Sequence, residues 1–106
     1  MENQHRKIAG YRELNQAEID LMNRIKATGT ELLELQAELV AMLNLQKDAK
    51  INAMDHLSPS DVPGEAKAEF YRFNAAEPFR WASIGKTDIQ TGIMALVRAV
   101  AQPAGV

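Results

Sequence analysis

The chain has 106 residues, 46% of them hydrophobic and 25% charged, a composition that fits one globular domain and leaves no room for two. Twelve Lys and Arg against fourteen Asp and Glu give a formal net charge of −2, so the long-range attraction behind general duplex DNA or RNA binding is missing. There is no Cys, which excludes a disulfide framework, a thiolate nucleophile, an iron–sulfur site and any Cys-based zinc site together.

Aromatics make up only 6% of the chain, and six Gly and four Pro are too few turn residues for a sandwich or barrel. The expected class is all-α. Residues 1–14 form a short polar arm with no apolar core of signal-peptide length, and no apolar run anywhere approaches the ~18 residues of a membrane span. The expectation is a protein neither secreted by that route nor embedded in a membrane. Tyr11 sits in this arm beside Arg6, Lys7 and Arg12. It either stacks on a base while the cations meet phosphate, or covers the start of the next helix.

In Leu14-Asn15-Gln16-Ala17-Glu18-Ile19, Asn15 is placed to accept from the early amides and Glu18 to reach back. Leu14 and Ile19 are spaced as a hydrophobic staple. A long helix over about 15–56 follows, with Met22, Ile25, Leu32, Leu39 and Leu43 on a three-four alternation and Gly29 and Gln36 at the missing steps. A second line through Leu21, Leu35 and Met42 widens the stripe beyond the needs of one partner helix. Thr28-Gly29-Thr30 interrupts it with poor helix formers. The break marks a bend, a close helix approach, or a place where backbone and hydroxyls meet something small.

Residues 57–76 combine a loop, centred on LSPSDVPGE, with a short helix starting at Pro63 or Gly64 that turns Phe70 and Phe73 inward. The second long helix spans about 77–102, with apolar positions at Trp81, Ile84, Ile89, Ile93, Leu96 and Val100, closed by Pro103 and Gly105. Two antiparallel helices of this kind have too little mutual contact to hide both stripes, so the hairpin is expected to associate with copies of itself. Residues 31–77 carry nine acids against four bases, whereas the two ends are slightly basic. The acidic stretch reads as a solvated face.

Catalytic groups are scarce. His5 lies in the arm and His56 follows Asp55, with no His-x-x-x-His or Glu-x-x-His pair to form a metal face. Glu31, Glu34 and Glu38 share a helix surface without histidines beside them, which reads as solvent-facing. Ile84-Gly85-Lys86-Thr87 looks like the end of a phosphate loop, but Arg80 stands where that motif needs its first glycine, and no strand precedes it. Gly85 and Gly92 read instead as marks of close helix packing. Lys26 is either a surface cation paired with Asp20 or Glu31, or part of an anion site beside the Thr-Gly-Thr break.

Two blocks carry a family resemblance. The segments HRKIAGYREL (5–14) and EIDLMNRIK (18–26), together with RWASIGKTDIQTG (80–92) and MALVRA (94–99), resemble the phage anti-CBASS sponge family. The similarity spans roughly residues 5–43 and 77–103. It implies a small helical hairpin, similar to the hairpin part of the phage sponges that block Thoeris signalling, assembled as a compact homohexamer in the cytoplasm of the infected bacterial host. It implies sequestration of cyclic dinucleotides between paired protomers, with no cleavage, cofactor or metal. By position, the family's first pocket maps to Tyr11, Lys26 and Thr28, and a second pocket for cyclic trinucleotides, where three protomers meet, maps to Arg80, Lys86 and Thr87. The competing expectation is an oligomerisation or partner-docking hairpin with no nucleotide ligand.

Overall fold

The computed structural model describes residues 12–55 and 63–104. Helix α1 runs Gln16–Asp55, α2 Pro63–Ala76 and α3 Pro78–Ala101, and no strand is present among the described residues. The fold is an all-helical hairpin.

Local chemistry accounts for each boundary. Glu18 N donates to Asn15 Oδ1 at 2.9 Å and Asn15 N donates to Glu18 Oε1 at 3.0 Å, a reciprocal capping box that satisfies two donors the helix would otherwise orphan. Glu77 and Gln102 have φ of 51° and 49°. Both adopt the left-handed turn that ends a helix, which places them just outside α2 and α3 respectively. Glu77 N donates to Asn74 O at 3.1 Å and Gln102 N to Arg98 O at 2.7 Å. Pro78 then opens α3 at the position where a missing N–H costs nothing.

The chain divides into two compact units, one of residues 1–33 with 87–106, the other of residues 34–86. The second unit holds the core: Leu43, Phe73 and Ala82 are buried, with Val40 and Phe79 packed against them. Phe73 and Phe79 meet edge to face with centroids 6.2 Å apart. Gln36, the polar interruption in the α1 stripe, donates from Nε2 to the Ala82 carbonyl at 3.0 Å. Its place in the apolar line is thereby explained, since a core-facing amide has found its acceptor on α3.

Two bases of the acidic stretch, Lys47 and Lys50, reach over the rings of this core. Lys50 Nζ lies 5.1 Å over the Phe73 ring and 3.5 Å from Glu69, and Lys47 Nζ lies 5.8 Å over Phe79. Arg72 grips Glu69 through Nε at 2.9 Å and Nη2 at 2.5 Å. That fork, with help from Lys50, holds the Glu69 carboxyl down to about 2.

In the first unit, α1 and α3 approach closely at Gly29. A Cβ added there would lie 2.6 Å from Ile93 Cγ1 and closer still to Cδ1. The Thr-Gly-Thr break is thus a close helix approach, with Ile93 occupying the space a side chain would take. The other two glycines expected to mark close packing do not: a Cβ at Gly85 or Gly92 would meet nothing within 4 Å. Trp81 and Leu96 also depart from the inward pattern read along α3, being 58% and 56% exposed. The inward direction there is set by Ala82, one residue and about 100° away from Trp81.

Candidate ligand site

The first unit carries a depression of about 460 Å³ between the N-terminal half of α1 and the C-terminal half of α3. Its walls are apolar, from Leu21, Ile25, Leu32 and Ile93, and its polar groups come from Arg24 and Thr28. Gly29 and Gly92 line it from opposite helices. The absence of a side chain at Gly92, unused for helix packing, leaves that wall open. No contiguous apolar cleft with a guanidinium and a hydroxyl in its lining occurs by helix propensity alone; here two helices meet closely at Gly29 while Gly92 leaves open space beside it.

Thr28, expected in the first pocket, lines this depression and is exposed. Lys26 is exposed, makes no ion pair with another described residue, and is not part of the depression's wall. Two residues apart on a helix, Lys26 and Thr28 project about 200° apart and do not share a face. Tyr11 lies outside the described residues, as do His5 and His56.

Arg24 is the residue that sequence reasoning missed. It stands one turn before Thr28, on the same face, and lines the same depression. The i, i+4 spacing was the available signal. Arg12, Glu13, Leu14 and Ile19 border a second, smaller hollow of about 270 Å³ at the start of α1. Leu14 is half-buried and Ile19 is 37% exposed.

Of the three residues mapped to the trinucleotide pocket, Arg80 is exposed, 3.6 Å from Glu77 and 5.1 Å over its neighbour Trp81. Lys86 and Thr87 are exposed as well. Arg80 and Lys86, six positions apart on α3, are offset by about 240° around the axis, so one chain does not present both on one face. Among the described residues no group of three or more His, Asp or Glu is placed to hold a metal ion. No helix among them is long and apolar enough to cross a membrane.

The family description "Acb2/Tad1, hairpin domain" matches residues 4–101. Over 107 aligned residues the chain is 59% identical to a protein of Pseudomonas phage JBD67 named Anti-CBASS protein 2, covering 99% of each chain. The match runs through the loop and α2 as well as the two end blocks that carried the resemblance. With nearly the whole hairpin matched, from the arm through the capping box to the last turn of α3, the chain belongs to the Acb2/Tad1 hairpin-domain family, the anti-CBASS sponge family.

Proposed function

We propose that this chain is a phage anti-defence protein that binds cyclic oligonucleotide second messengers and holds them without cleaving them, in the cytoplasm of the infected host, so that CBASS effectors stay unactivated. The observation that carries the reading is the 59% identity to Anti-CBASS protein 2 across 99% of both chains. In this reading Tyr11 stacks on a purine, worth roughly 1–3 kcal/mol per base. Lys26 neutralises a bridging phosphate and Thr28 donates to a base edge or phosphate oxygen. Arg24, on Thr28's face, adds a second cation.

The opposed directions of Lys26 and Thr28 support a pocket shared by two copies, each copy giving the face the other lacks. A two-fold pocket suits a ligand with two bases and two phosphates. Self-association is also supported by the large apolar side chains left outside the core: Leu35 is 59% exposed, Leu45 70% and Met94 70%. A homohexamer with a further cyclic-trinucleotide pocket at Arg80, Lys86 and Thr87 belongs to the same proposal.

Calorimetric titration of the protein with a 3′,3′-linked cyclic dinucleotide tests it, followed by heating the complex and chromatographing what is released. Tight binding with intact ligand recovered supports sequestration. Linear products would establish an enzyme, and no binding to dinucleotides or trinucleotides would leave an oligomeric scaffold.

A further inference from the structure

The part of α1 that borders the depression carries a regular seam. Leu21, Ile25, Thr28 and Leu32 follow one another at spacings of four, three and four, the alternation by which one helix packs along another. Gly29, the position beside Thr28, already meets Ile93 of α3. The seam is turned to one side of that contact: Leu21 and Leu32 are 46% and 48% exposed, and Thr28 is exposed between them. Charge along its edge is unspent. Arg24 and Glu31 stand one residue before Ile25 and Leu32, on the flank turned away from α3. Both are exposed, and neither makes an ion pair or hydrogen bond with another described residue. Seven positions, about 10 Å along the axis, put them beyond the i, i+4 reach at which helical side chains pair with each other.

We propose that this seam and the depression beside it take α1 of a second copy, running antiparallel about a two-fold axis near residues 26 and 27, with Arg24 of each copy paired to Glu31 of the other. The inference rests on the self-association part of the functional reading above and not on its ligand. The register follows from the spacing. Setting Leu21 against the partner's Leu32, and Ile25 against the partner's Thr28, covers both exposed leucines of each copy. It leaves Arg24 two residues, about 3 Å along the axis, from the level of the partner's Glu31, which is within reach of a guanidinium. A parallel copy would instead bring Arg24 level with Arg24 and Glu31 level with Glu31, like charge against like. The antiparallel pairing also sets the Thr28 of both copies beside the axis, where a two-fold ligand site needs them. Because a guanidinium has five donors, Arg24 can pair with a carboxylate and still face a ligand.

Two measurements on the full chain test the pairing. The chain has no Cys of its own, so introduced ones report cleanly. Under mild oxidation, Leu21→Cys coexpressed with Leu32→Cys is expected to give a disulfide-linked dimer, while each variant alone stays unlinked, because the antiparallel register sets neither position against itself. Sedimentation over a dilution series supplies the second readout. Arg24→Glu, which sets acid against acid, is expected to weaken self-association at least tenfold, and adding Glu31→Arg to return it to within about threefold of wild type. Should Arg24→Glu fail to fold, Glu31→Arg serves as the single variant with the same rescue. Linkage of either cysteine variant with itself, or a double variant no better than the single one, would overturn this pairing with self-association intact. A wild-type chain that sediments as a monomer would overturn self-association, and the pairing with it.

Discussion

The two compact units divide labour unequally. Unit 34–86 contains all three buried apolar side chains found among the described residues, and its Lys47, Lys50 and Arg72 lie on aromatic rings or on Glu69. Unit 1–33 with 87–106 has a buried glycine, a depression with apolar walls, and exposed Leu21, Leu32, Met94 and Leu96. Both units leave large apolar side chains at the surface, Leu35, Leu45 and Trp81 in the one and Leu21, Met94 and Leu96 in the other, but only unit 34–86 also buries apolar side chains in a core of its own. A short hairpin has too few side chains to fill two interiors, and the end left unfilled is the one carrying Thr28, Arg24 and Lys26. The candidate site thus lies in the unit that, among the described residues, buries no large side chain of its own.

The largest effect that would break this contrast lies in the filled unit. Phe73→Ala removes the most central ring of the core, with Phe79 and Lys50 both packed on it, and is expected to cost about 3–5 kcal/mol in urea unfolding. A loss near 1 kcal/mol would mean that assembly, rather than this core, holds the fold. Gly29→Ala comes next. The new methyl collides with Ile93, an overpacking cost of about 1–3 kcal/mol that is partly offset by the ~1 kcal/mol helix preference of Ala over Gly. Adding Ile93→Val, which removes Cδ1, is expected to return part of the loss, a coupling visible only if the two helices are as close in solution.

Smaller effects sharpen the comparison. Glu69 has its folded value lowered to about 2 from an ordinary 4.5, so its ion pairs contribute stability above about pH 4.5 that fades as pH falls toward 2. Glu69→Gln is expected to flatten that part of the acid unfolding profile; a profile unchanged from wild type would show that Arg72 and Lys50 do not hold this carboxylate in solution. Lys26→Ala is expected to change stability by no more than about 0.5 kcal/mol, since no described residue pairs with it, while weakening cyclic-dinucleotide binding at least tenfold. A variant that is destabilised but binds normally would make Lys26 a structural cation and move the phosphate contact to Arg24.

Much of this architecture could be read from residues taken in order. Asn15 and Glu18 announced a helix start that the structure forms by reciprocal hydrogen bonds. The Pro63 start and the Pro78 start are likewise local, because a proline's missing donor is tolerated only in a first turn. The apolar alternation showed that α1 was long, and its excess width led to the expectation of more than one neighbour. The candidate site was less legible. Lys26 and Thr28 map to one pocket through the family resemblance, whereas helix geometry separates them within one chain, and the sequence by itself does not show that Arg24 borders the depression.

Caps, breakers and periodicity act over four residues or fewer, so helix identity, length and order were already present in the chain. Which of three candidate glycines marks a close approach was not, because Gly29 meets Ile93 across 64 positions while Gly85 and Gly92 meet nothing. Nor was the burial of Ala82 in place of Trp81, or the joining of Arg12 to the end of α3. These depend on the azimuth at which one helix meets another, and that angle is chosen by the packing of side chains from distant segments rather than by any segment's own preference.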